Sequence, residues 1–149
     1  MNIQSYEGPT EEQIIALKDV LLQGPQRIIR TDHYFADGMY CRVVHIPAGS
    51  VFVGRVHKKE HFFIVAKGEV IILGVGSKTH LTAPHVLVSR PGTKRAGYVI
   101  EDVTCITVHR TEFTDLALAE ADVAEEAPDS PYTTGNILKS GVLAYQEDV

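Results

Sequence analysis

The sequence has no tryptophan and only two cysteines in 149 residues, so neither a disulfide framework nor a large aromatic core defines it. Cys41 and Cys105 sit inside strand-like runs and form no C-x-x-C pair, which excludes a zinc knuckle or redox motif and leaves buried free thiols. No apolar run reaches the roughly 18 residues of a membrane-spanning helix. Basic residues are in deficit: Lys and Arg number 14 against 19 Asp and Glu, a net charge of -5 that speaks against wholesale nucleic-acid binding. From Met1 to Glu12 the chain is acidic and polar where a secretion signal would be basic and then greasy, so a cytoplasmic protein without membrane attachment is expected. Its length suits one core rather than two.

What is present falls into three stretches. In the first, residues 1–25, Thr10-Glu11-Glu12-Gln13 matches a capping box, and Ile14, Leu17 and Leu21 share one helical face before Gly24-Pro25 ends the run. The second, residues 26–113, is cut into short β-prone runs by Ala36-Asp37-Gly38, Pro47-Ala48-Gly49, Ala66-Lys67-Gly68, Gly74-Val75-Gly76-Ser77 and Arg90-Pro91-Gly92. This texture predicts an antiparallel sandwich or barrel. Its strands are expected at Met39–Ile46, Val51–His57, His61–Val65, Glu69–Leu73, His85–Ser89, Arg95–Ile100 and Val103–Arg110, with Glu101-Asp102 as a hairpin turn. The third, residues 114–149, opens with a helix capped by Thr114 or Asp115, with Leu116, Ala119 and Val123 at helical spacing and Pro128 as its stop. An extended arm follows, either loosely ordered or packed on another subunit.

The central stretch resembles the cupin family. The first cupin motif, G-x5-H-x-H-x3-4-E-x6-G, lays onto Gly49, Arg55, His57, His61 and Gly68, with arginine at the first histidine and histidine at the glutamate. Of the second motif, Gly92 matches outright, Arg90 stands at the proline, Arg95 at the histidine and Val99 at the asparagine. More narrowly, Val53-Gly54-Arg55-Val56-His57-Lys58-Lys59-Glu60-His61 and Gly92-Thr93-Lys94-Arg95 resemble small uncharacterised cupins of tailed bacteriophages and prophages. The resemblance implies an all-β fold, a small double-stranded β-helix or jelly-roll barrel with an N-terminal helix and a C-terminal helix plus arm. It also implies a homo-oligomer, a dimer or larger, in a host cytoplasm if phage-encoded.

Alternation on strands puts Arg55 and His57 on one side, and His61, Phe63 and Val65 on one side of the next strand, so His57 and His61 converge inside the barrel. An ordinary cupin holds iron, zinc, nickel or manganese there with three histidines and a carboxylate; here guanidinium groups, which have no lone pair to donate, stand at two of those positions. A metal site on His57 and His61 therefore needs a further ligand, His109 or His45, and strand parity decides between them. The literal string His57-Lys58-Lys59-Glu60-His61 also matches the H-x-x-E-H of inverted zinc peptidases, but that chemistry needs a helix and the flanks are β-prone.

The basic residues give the other reading. Arg55, Lys58, Lys59, Lys94 and Arg95 gather positive charge at one mouth of an acidic chain, which suits a small anion bound by Arg55, His57, His61, Lys94 and Arg95. The expectation from sequence is a cupin that binds such an anion or serves as an oligomeric accessory protein, rather than an ordinary metalloenzyme. The alternatives are a metal-dependent dioxygenase or isomerase using His57, His61 and a third ligand, and a structural protein with a vestigial pocket. Phe52, Phe62, Phe63 and Tyr98 are expected to fill the barrel as core.

Overall fold

The computed structural model describes residues 7–146; the outermost positions of the predicted terminal arms, 1–6 and 147–149, lie outside the described residues. Helix α1 spans Glu11–Leu22. It starts where the capping box requires: the Gln13 N–H donates to the Thr10 hydroxyl at 3.1 Å and the Thr10 N–H to the Gln13 side chain at 2.9 Å. Ile14 anchors the helix, being fully buried.

Seven strands follow: β1 Arg30–Ala36, β2 Met39–Ile46, β3 Val51–Val53, β4 His61–Gly74, β5 Ser77–Thr82, β6 His85–Ser89 and β7 Arg95–Arg110. All pair antiparallel. Helix α2 spans Leu116–Val123, and a small hairpin of β8 Tyr132–Thr133 and β9 Ile137–Leu138 lies beyond it. The β1–β2 connection is the two-residue Asp37-Gly38 turn with positive φ at both positions, a geometry whose twist matches that of the paired strands.

Strands β4 and β7 organise the molecule because each runs through two sheets. The first half of β4 and the second half of β7 pair with each other and with β6 and β2, giving the order β1-β2-β7-β4-β6. Their other halves pair again in a sheet ordered β3-β7-β4-β5. The changeover is a run of register irregularities between Val65 and Val70. At its centre Gly68 has φ +85°, and a Cβ there would lie 2.1 Å from the carbonyl oxygen of Asp102. This is where the sequence expectation fails: Ala66-Lys67-Gly68 and Glu101-Asp102 are not turns that separate strands. They are the matched bends of two long strands, and Glu101-Asp102 is no hairpin.

Three further differences have local causes. Strands β1 and β5, absent from the predicted set, are sheet-edge strands with mixed or polar sequences, so hydrophobic alternation does not mark them. Strand β3 stops at Val53 instead of reaching His57, because residues after Gly54 leave the sheet to pair with the end of α2. Helix α2 ends at Val123, well before Pro128, because Ala124 is extended and bridges to His57.

Two apolar clusters result. One, between the sheets, comprises Val65, Val70, Ile72, Leu81, Val99, Val103 and Cys105. The other, beneath α2, comprises Tyr40, Ala119 and Val123 with Phe35 and Leu116 against them. Phe52 and Phe63 pack on the first cluster as expected, whereas Phe62 and Tyr98 face outward. The C-terminal arm packs on its own chain: the Gln26 N–H donates to Leu143 at 2.8 Å, the Tyr145 N–H to Gln26 at 3.0 Å, and the Tyr132 hydroxyl to the Arg27 carbonyl at 2.5 Å. Among the described residues no helix is long and apolar enough to cross a membrane.

Candidate metal centre

Strand parity builds the site. On the second half of β7 the buried residues are Val103, Cys105, Thr107 and His109, and on β2 they are Tyr40 and Val44, so His109 and Arg42 face inward and His45 faces out. Register places Tyr40 opposite His109, and Phe62 opposite Val108, which brings His61 alongside His109 from the other side. The inner face therefore reads Ser89, His61, His109, Tyr40 and Phe35 in one row across the sheet. Leu87, Phe63, Thr107, Arg42 and His33 form the next row.

His57 completes a triad from the loop before β4. Its ring centroid is 4.4 Å from that of His61 and 4.9 Å from that of His109, while His61 and His109 stack at 4.3 Å. One ligand atom from each of the three lies within 4.8 Å of the others. The Lys59 carbonyl accepts from His61 Nδ1 at 3.0 Å, so that nitrogen carries the proton and Nε2 keeps its lone pair. His61 Nε2 is 3.1 Å from His57 Nδ1. His109 Nδ1 is buried with no hydrogen-bond partner.

The electrostatics keep all three imidazoles neutral. Burial pushes His57 down to about 3, assisted by His61, His109, Arg42 and Arg55, and burial with His61, Arg42 and Lys59 does the same to His109. Burial also lowers His61, with its Lys59 hydrogen bond opposing and Arg95 adding to the shift. Three imidazoles kept neutral by burial, each with a ring nitrogen within 4.8 Å of the others, are a donor set that zinc, iron or nickel takes. The residues present fit such an ion.

The loop carrying His57 is stitched to α2. The Lys58 N–H donates to the Val123 carbonyl at 2.8 Å and the Glu125 N–H to the Val56 carbonyl at 2.8 Å. Lys58 Nζ reaches the Ala121 carbonyl at 2.8 Å, where a cation complements the helix C-terminus. Lys59 Nζ bonds Asp122 at 2.6 Å, and Asp122 also accepts from the Thr111 hydroxyl at 2.8 Å. Lys59 first, then Thr111, holds the Asp122 carboxyl below its ordinary range.

The basic residues singled out in the sequence are thus largely engaged. Arg55 is exposed and donates to the Glu125 carbonyl at 2.5 Å, though its charge still reaches His57. Arg95 is partly withdrawn from solvent and close enough to His61 to depress it. Lys94 contributes to the field at Asp129 on the arm. His45 lies outside, sharing contacts with Thr104 and Asp32 at 3.2 Å each. The segment 57–60 is a non-helical bend with Glu60 exposed, which removes the peptidase-like geometry. Sequence reasoning missed Arg42 and Tyr40: their alternation with Val44 on β2 was available, but only the pairing with β7 shows what they face.

No family model matches the chain, and no curated protein does. Solved structures match by shape. A cupin superfamily protein from Desulfitobacterium hafniense aligns over 74% of this chain and all of its own, at 11% identity and a TM-score of 0.50. A cupin domain from Schizosaccharomyces pombe aligns over 66% of this chain and 72% of its own, at 17% identity and 0.50. Salicylate 1,2-dioxygenase from Pseudoaminobacter salicylatoxidans, in complex with gentisate, aligns over 75% of this chain and 33% of its own, at 13% identity and 0.53. At these identities the likeness is one of fold: the two bent strands and the paired sheets form a barrel similar to that of these cupin structures.

Proposed function

We propose that this chain is a metal-dependent cupin enzyme of the dioxygenase or isomerase type, with His57, His61 and His109 holding a divalent ion. The observation that carries the reading is the convergence of the three histidines, with the buried His109 Nδ1 left unpartnered. Among the fold neighbours is a dioxygenase, which supports an enzyme without assigning its substrate. Imidazole donors favour zinc, iron or nickel over manganese. When bound, such an ion supplies Lewis-acid or, for iron, redox chemistry to an oxygen-donor ligand.

The chain's own groups prepare that site. The Lys59 carbonyl fixes the His61 tautomer, burial keeps the imidazoles unprotonated, and α2 with its partner loop screens the triad from water. Tyr40, pushed up to about 12 chiefly by burial, stays a neutral phenol; its O–H is 2.6 Å from His33 Nδ1.

Elemental analysis of protein purified without a tag is expected to find about one zinc, iron or nickel ion per chain. His61→Ala and His109→Ala are each expected to lose it, and His45→Ala to retain it. Wild-type protein that takes up none of these ions on titration overturns the reading.

Self-association is the second element of the proposal. The outer face of the larger sheet carries a row of Val88, Phe62, Val108, Cys41 and Tyr34, with Val86 and Ile64 beside it. Phe62, Val86 and Val88 are 51%, 60% and 58% exposed, which suits burial against a second copy. Light scattering is expected to give a dimer that Phe62→Asp reduces to monomer; a wild-type monomer sinks this part alone.

A further inference from the structure

Directly behind the triad, Arg42 projects into the interior from the middle of β2. Tyr40 and Val44, which flank it on the same face, are buried, and its charge is felt by both His57 and His109. Among the described residues no hydrogen bond or ion pair engages its guanidinium. The carboxylate closest to it in electrostatic effect, Glu120, accepts instead from the Gly135 N–H at 2.8 Å. Opposite Arg42 on β7 stands Thr107, 6% exposed, whose hydroxyl is buried and has no partner. Phe63 and Leu87 complete the row on the far side.

A half-buried guanidinium without a counter-ion, facing a fully buried hydroxyl without a partner, is an arrangement that stability alone does not explain. Both groups are hydrogen-bond donors and both belong to the row behind the histidines. What they lack in common is an acceptor carrying negative charge. A guanidinium fork matches a planar carboxylate through two parallel N–H···O bonds. Two donor groups, a guanidinium and a hydroxyl, with aromatic and aliphatic side chains in the same row, suit the two oxygens of a carboxylate better than the four of a phosphate.

We infer that Arg42 and Thr107 form a carboxylate-binding subsite behind His57, His61 and His109, so that the ligand of this barrel is a small carboxylic acid whose charged end is held by Arg42. The inference deepens the metal-enzyme reading by giving its substrate class. The subsite itself consists of protein groups that bind with or without an ion. It differs from the anion site expected at Arg55, His57, His61, Lys94 and Arg95 in resting on Arg42 and Thr107, while Arg55 is exposed and donates to the Glu125 carbonyl.

Oxalate, acetate and phosphate, titrated into metal-free and zinc-loaded protein and followed by calorimetry and by thermal melting, test it. Oxalate and acetate are expected to bind wild type and raise its melting temperature in both forms. Arg42→Met is expected to weaken oxalate binding at least about tenfold and to abolish the thermal gain, while its zinc content stays that of wild type. Thr107→Val keeps the side-chain shape and is expected to weaken binding about threefold to tenfold, so the result does not rest on one variant. Equal oxalate affinity in metal-free wild type and metal-free Arg42→Met overturns the subsite while leaving the metal reading intact. Arg42-dependent binding in protein that takes up no metal upholds the subsite and sinks the metal reading. Phosphate binding more tightly than oxalate in metal-free protein, through the same Arg42, overturns the assignment to carboxylates.

Discussion

The two ends of the barrel interior obey different rules. At the closed end, around Val65, Val70, Val99 and Val103, side chains are wholly apolar and each is at most 2% exposed. At the end beneath α2, equally buried positions on the same strands carry His61, Thr107 and His109, and the unpartnered polar atoms at Thr107 and His109 are there. One strand, β7, supplies both ends, so neither strand propensity nor burial accounts for the contrast. Unpartnered polar atoms on one side, with the other sealed by packing, are what the proposed ligand-binding role leads one to expect.

The sharpest way to break the closed end is Gly68→Ala. Positive φ and a Cβ directed at the Asp102 carbonyl leave the bend no room, so a loss of at least about 3 kcal/mol is expected in denaturant unfolding. Val70→Ala, which removes two buried methyl groups without touching the backbone, is expected to cost about 2 kcal/mol.

The end beneath α2 is expected to respond to pH instead. His57 and His109 titrate near 3 in the folded chain and near 6.5 when unfolded, so between those values the unfolded state binds more protons. Metal-free protein is therefore expected to lose stability as pH falls from about 6.5 toward 3, by up to about 1.4 kcal/mol per pH unit for each histidine, and to show no such dependence above pH 7. Urea melts across that range check it, and His109→Leu is expected to flatten the slope. The smallest effect has the opposite sign. Thr107→Val removes a buried hydroxyl with no partner and is expected to stabilise the ligand-free protein by about 1 kcal/mol. A destabilisation of that size would mean the hydroxyl is satisfied in solution and would erase the contrast between the ends.

Much of the frame was legible in the residues themselves. The capping box places the start of α1, and the boundaries of β2 and β6 follow from β-branched runs between turn residues. The meeting of His57 and His61 follows from a short bend joined to a strand of known alternation. What could not be read depends on pairing between distant segments. Gly68 looks like a turn residue until Asp102 is brought against it, and then it is a bend within one strand. His109 and His45 are equivalent candidates until the register with Tyr40 shows which faces in. The basic residues look like an open anion site until α2 takes up Lys58 and Lys59.

The stitching of residues 56–58 to the end of α2 also bears on time. Because backbone hydrogen bonds hold both Val56 and Lys58, the imidazole between them travels with the helix terminus as a single body. For the proposed metal site, exchange of the ion is then expected to be timed by the undocking of that segment, as a local opening equilibrium.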